Sequence, residues 1–142
     1  KKRKLVAKIF IDSSVLIAAA ISSKGTAHDL LLKGFQSELD LYISQEVLEE
    51  SERNIKLKAP NFLKDFYIFK QSLEGKIVRS SKQQILKVAK VVHIKDAPIV
   101  AGAIKAKADY LVSYDRKHLL QHKQEIEVNF KVKVVIPDEL TK

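Results

Sequence analysis

Four acidic side chains fall where a strand-and-helix chain would bring them together, and together they make metal-assisted hydrolysis available. Asp12 ends the apolar run Leu5–Ile11, and Asp115 follows the apolar run Tyr110–Ser113 through Tyr114. Asp96 opens the Ala-rich stretch leading into that second run, and Glu50 sits about two turns into the helical stretch after Leu39–Ile43. Singly, each has an ordinary explanation: Asp12 and Asp96 as helix caps, Glu50 as a solvated helix residue, Asp115 as a turn residue. Jointly they place an acid after strand one, in helix two, before strand four and after it. Carboxylates crowded within a few ångströms push one another's pKa upward. A hard divalent cation relieves that repulsion, and Mg²⁺ or Mn²⁺ takes a few carboxylates, several waters and substrate phosphates. The chemistry then open to the site is phosphodiester hydrolysis, through a more acidic bound water and neutralised phosphoryl charge.

The elements that would position these acids alternate between strand and helix. Leu5–Ile11 is apolar with little alternation, as in a strand buried on both faces, and Asp12-Ser13-Ser14 can cap a helix beginning near Val15. Ser22-Ser23-Lys24-Gly25 breaks that helix and Thr26–Phe35 resumes one. Leu39–Ile43 reads as a short strand, and Ser44 caps a helix with Glu46, Glu49, Glu50 and Glu52 in its early turns. Asn61–Leu73 is amphipathic, with Phe62, Phe66 and Phe69 at helical spacing and so expected in the core. Lys76–Arg79 reads as a strand and Lys82–Lys90 as a helix. Asp96 and Pro98 start a helix through Ile99–Ala108, and Tyr110–Ser113 is a buried strand. Lys117–His122 reads as a short helix and Val132–Ile136 as a last strand stopped by Pro137. This order predicts an α/β fold: a three-layer α/β/α sandwich around a parallel sheet of about five strands, one domain over residues 1–142. In such sheets, sites form beyond the carboxyl ends of the strands.

Composition bounds the partners. Lys and Arg number 26 against 17 Asp and Glu, a net charge of +9, which favours a polyanion such as nucleic acid over neutral partners. The plain alternative is solubility charge spread over exposed helix faces. Cysteine is absent, which excludes a disulfide scaffold, a thiol nucleophile and thiolate zinc, and fits a cytoplasmic protein. No apolar run approaches a membrane span of ~18 residues, so no membrane association is expected. The basic opening Lys1-Lys2-Arg3-Lys4 is not followed by the long apolar stretch of a signal peptide. Neither a dinucleotide-binding nor a P-loop glycine pattern occurs. His118 and His122 stand four apart but lack the metalloprotease Glu and a third ligand, so a zinc site is not expected.

Several stretches resemble the PIN domain family. FIDSSVLIAAA is similar to the family's opening, a strand ending in Asp followed by Thr or Ser. YISQEVLEE resembles its second motif, a helix-capping Ser with an acid six residues on, which aligns Glu50. KDAPIVAGAIKAKADYLVSYDRKHLL is the longest and most specific match, and VKVVIPDEL resembles the last strand and tail. The resemblance implies a PIN-like sandwich and a Mg²⁺- or Mn²⁺-dependent endoribonuclease acting on RNA. It carries Asp12, Glu50, Asp96 and Asp115 over as catalytic acids, with Asp12, Asp96 and Asp115 on the metal and Glu50 acting through water. Ser113 matches a Thr or Ser lining the site, and Ser14 stands where many members carry Asn. Arg116 and Lys117, nearest the mouth, would take phosphates. The family includes toxins of toxin–antitoxin pairs, so an antitoxin protein and a homodimer are further expected partners. In one respect the chain departs from the pattern: many members place another acid two or three residues beyond Asp115, where Lys117 and His118 stand here. His118 is therefore a candidate modulator of metal occupancy.

Two other readings stay open on these residues. A non-catalytic RNA-binding or regulatory PIN module is favoured by the missing late acid. A phosphatase or phosphotransfer domain on a similar sheet would also use a strand-end Asp, but Ser14 stands where its second Asp would be, and no adjacent acidic pair surrounds Asp12.

Overall fold

The computed structural model describes residues 6–141. The basic opening and Leu5, with which the first strand was expected to begin, lie outside the described residues. Five strands form one parallel sheet: β1 (Lys8–Ile11), β2 (Asp40–Ser44), β3 (Ile77–Val78), β4 (Tyr110–Val112) and β5 (Lys133–Val135). Their order is β3-β2-β1-β4-β5. Helices α1 (Ser13–Ile21), α2 (Thr26–Phe35), α3 (Gln45–Lys58), α4 (Leu63–Ser72), α5 (Lys82–Val88), α6 (Ala97–Lys105) and α7 (Lys123–Phe130) flank it, giving the three-layer α/β/α sandwich the alternation predicts. Among the described residues no single helix is long and apolar enough to cross a membrane.

The centre of the sheet is dry. Ile9, Phe10 and Ile11 of β1 and Leu111 and Val112 of β4 are fully buried, which explains why these strands read as continuous apolar runs. The chain leaves β1 toward β2 and β3, then crosses back to β4 and β5 on the other side of β1. The sheet therefore reverses its winding between β1 and β4. A crevice opens at such a reversal, beyond the carboxyl ends of the two strands.

Helix α6 lies unusually close to β1. A Cβ on Gly102 would stand 2.6 Å from Phe10 Cζ, and that ring is fully buried with nowhere to retreat. Glycine at this one helical position thus fixes how closely α6, and Asp96 at its start, approaches the sheet.

Several segments differ from the sequence expectation. The stretch Asn61–Leu73 starts as a 3₁₀ turn, Pro60–Phe62, before α4 begins at Leu63. Phe66 and Phe69 are buried as expected, but Phe62 is 38% exposed. A 3₁₀ turn advances three residues per turn rather than 3.6, so it rotates Phe62 off the stripe. The expected helix Lys117–His122 is a single π-type turn, Arg116–Leu120. It is followed by α7, which only Ile126 buries and which therefore shows no apolar stripe in the sequence.

Gly102→Ala tests the close approach. Overpacking a filled core costs about 1–3 kcal/mol, against about 1 kcal/mol gained in helix propensity. We expect a net loss of stability in urea titration; a raised midpoint would show that α6 has room to spare.

Candidate active site

Each acid reaches the crevice by a different local device. Asp12 is the N-cap of α1: its Oδ1 accepts from Ser14 N at 2.8 Å, and its own N–H continues the strand by donating to Val112 O at 3.1 Å. Cap and strand end coincide in one residue, so the carboxylate is pinned between β1 and β4. Glu50 is placed by the cap of α3, where Ser44 Oγ accepts from Val47 N at 3.2 Å. Asp96 precedes α6 but makes no side-chain cap hydrogen bond, which leaves its carboxylate to the cleft. Asp115 caps the π-type turn, accepting from His118 N at 3.2 Å.

The four acids line one cleft of about 540 Å³, together with Ser13, Ser14, Asn54, Lys95 and Tyr114. A layer of serine hydroxyls lies beneath them. Ser113 Oγ donates to Asp12 Oδ2 and accepts from Asp115 N at 2.9 Å. Ser14 Oγ donates to Asp12 Oδ2 at 3.2 Å and accepts from Tyr114 N at 3.0 Å. Ser13 Oγ lies 2.7 Å from Glu50 Oε2 and 3.1 Å from Asp12 Oδ1, bridging two carboxylates with a single proton.

Despite these donors, Asp12 is held above its ordinary pKa. Burial is the larger effect: the residue is only 5% exposed, and desolvation of the charge outweighs the hydrogen bonds from Ser113, Ser14 and Ser13. Asp40, at the opposite end of the sheet, shows what a counter-charge does. Burial raises it too, but Lys76 Nζ at 2.7 Å and the Tyr42 hydroxyl more than offset that and hold it below its ordinary value. The 620 Å³ hollow beside Asp40 is walled by Phe35, Leu39, Leu41 and Leu73, and its acid is already neutralised.

Ser113, Ser14, Asp12, Glu50, Asp96 and Asp115 are thus brought together. Arg116 and Lys117 are not: both are exposed on the π-type turn and do not line the cleft. The cation that lines it is Lys95, next to Asp96. His118 is beside the site, its Nδ1 3.5 Å from Asp96 Oδ2. Sequence reasoning missed Ser13, Lys95, Asn54 and Tyr114. For Ser13 the signal was present, since a polar residue directly after a buried strand-end acid must face something polar.

The residues fit a hard cation. All four carboxylates are oxygen donors, and among the described residues none pairs with a Lys or Arg. Nor do any three His, Asp or Glu side chains among the described residues form a ready-made metal-binding group. Mg²⁺, which keeps several waters and completes its shell with substrate phosphate, does not require such a preformed group.

The family model described as PIN domain matches residues 8–117. The crystal structure of PAE2754 from Pyrobaculum aerophilum is similar in fold, with a TM-score of 0.60 and 19% identity over 96% of each chain. No curated protein matches.

The raised pKa of Asp12 gives a signed prediction for protein freed of metal with chelator. Folding makes its charge less favourable, so ionised Asp12 destabilises the fold above the raised folded-state value. That penalty disappears as pH falls to the unfolded value of 3.8. Asp12→Asn is therefore expected to melt higher than the parent protein at pH 7, with the gap closing toward pH 4. A lower melting temperature at pH 7 would show that the serine hydrogen bonds dominate.

Proposed function

The chain belongs to the PIN domain family, whose members are generally nucleases, and from that premise we propose a Mg²⁺- or Mn²⁺-dependent endoribonuclease centred on the Asp12 cleft. One observation carries the reading: four carboxylates from four separate stretches of chain share a cleft with no Lys or Arg paired to them among the described residues. Asp12, Asp96 and Asp115 would hold the ion, with Glu50 acting through water. Bound there, it would supply charge for the phosphodiester and a more acidic water.

The remaining work falls to the chain's own residues. Ser113 and Ser14 hold the Asp12 carboxylate in one orientation, and Ser13 holds Glu50. Lys95 takes a substrate phosphate at the cleft wall, with Arg116 and Lys117 on the adjoining exposed turn extending the positive path.

A second reading, an RNA-binding PIN module without turnover, is favoured by His118. The His118 imidazole, its Nδ1 3.5 Å from Asp96 Oδ2, competes for the carboxylate that an ion needs. The two readings divide on metal.

Saturating Mn²⁺ should raise the melting temperature of the full chain, since a ligand that binds only the folded state at 100 times its Kd adds about 2.7 kcal/mol. Asp115→Asn should remove most of that rise along with metal-dependent cleavage of RNA. A binding shift without cleavage in the parent protein would select the second reading. An undiminished metal response in Asp115→Asn would dismiss the proposed ligand set.

His118→Asp adds a carboxylate beside Asp96 and removes the competing imidazole. It is expected to tighten Mn²⁺ binding and quicken cleavage in parallel assays; unchanged metal affinity would show that His118 serves only the turn after Asp115.

A further inference from the structure

The cleft has one aromatic wall, and that wall is fixed in place. Tyr114 lines it between Ser113 and Asp115 and is 36% exposed. Its phenol oxygen lies 2.8 Å from Thr26 Oγ1, and Thr26 donates its own proton to Asp138 Oδ1 at 2.9 Å. With that proton committed, Thr26 accepts from Tyr114, so the phenol is the donor. At the other end of the residue, the backbone N–H donates to Ser14 Oγ, which in turn donates to Asp12. Tyr114 is therefore tethered twice: to the start of α2 and the turn Pro137–Glu139 at its tip, and to the carboxylate layer at its base.

Its ring has no aromatic partner among the described residues. The aromatic pairs among the described residues join His28 and Phe35 to Phe69, and Phe66 to Tyr67; none involves Tyr114. An exposed ring held at both ends loses little conformational entropy when a flat group lies on it. Nucleobases are such groups, and an aromatic face accepts any of them. In a duplex the bases are already stacked and paired, so only an unpaired base is free to reach the ring.

We propose that Tyr114 is a specificity-determining residue of the Asp12 cleft, its ring stacking on the base next to the phosphate held at the carboxylates. This rests on the nuclease reading above. The hydroxyl chain through Thr26 to Asp138 sets the angle of the ring, and the base is chosen by its being unpaired rather than by its identity.

The test uses the full chain with Ca²⁺ in place of Mg²⁺, and a single-stranded RNA oligomer carrying 2-aminopurine, whose fluorescence falls on stacking. Parent protein should bind the oligomer more tightly than its duplex form and quench the probe. Tyr114→Leu should lose the quenching and roughly 5- to 150-fold in affinity, the span of base–aromatic stacking. Tyr114→Phe keeps the ring and should retain the quenching and most of the affinity, even if Tyr114→Leu folds poorly. Quenching and affinity in Tyr114→Leu equal to the parent, with Mn²⁺-dependent cleavage intact, would overturn the stacking role and leave the nuclease reading standing. Equal losses in Tyr114→Phe and Tyr114→Leu would likewise overturn it, since the hydroxyl tether rather than the ring would then carry the effect. A parent protein that neither binds nor cleaves RNA with any divalent ion would end both.

Discussion

Burying the Asp12 carboxylate is the constraint around which the rest of the site is arranged. A charge at the junction of β1 and β4, almost sealed from water, needs donors on every side. Lys or Arg would satisfy it most strongly, as Lys76 does for Asp40. Here the donors are neutral: Ser113, Ser13, Ser14 and the backbone of Ser14. Neutral donors orient a carboxylate without cancelling its charge, and so the pKa stays raised and the negative potential faces the cleft. The same hydroxyls join the backbone after β4 to α1 and α3. The satisfaction of one buried acid thus sets the relative positions of Tyr114, Asp115 and Glu50.

Topology decides where that arrangement opens to solvent. Both ends of the sheet carry a hollow, and the larger one lies at the amino ends of the strands. There the acid is paired to Lys76, and Phe35, Leu39, Leu41 and Leu73 share the wall with Ser37 and Ser72. At the carboxyl ends the reversal between β1 and β4 separates the following segments, so α1 leaves from one strand and the π-type turn from the other. Volume does not distinguish the two hollows chemically; what does is that, among the described residues, no Lys or Arg pairs with the acids of the smaller one.

Legibility in the sequence followed the strength of the local signal. Strands β1 and β4 were readable because burial on both faces leaves uninterrupted apolar runs, and Asp12 and Asp115 could be placed because they end those runs. Helix α7 was not readable, since one buried residue in eight leaves no period to detect. Phe62 misled because the 3.6-residue period was extended through a turn with a different pitch. The cation that lines the cleft was not readable for a related reason. Arg116 and Lys117 are nearest to Asp115 in sequence, but a π-type turn carries them out to solvent, whereas Lys95 enters through the start of α6. Closeness along the chain does not by itself give closeness in space.

The charge of the whole chain and the charge of its cleft have opposite signs, and that opposition has a consequence for binding. A net +9 attracts a polyanion at long range. At physiological salt that attraction is screened beyond about 8 Å, so within the cleft the nearest charges govern. Those are four carboxylates against Lys95. A phosphate drawn to the surface would therefore be turned away from the cleft by the groups that line it. A divalent ion among the carboxylates would offset most of that negative charge and give the phosphate a cation to bind. On the proposed nuclease reading, the ion would serve the entry of a phosphate as well as its hydrolysis.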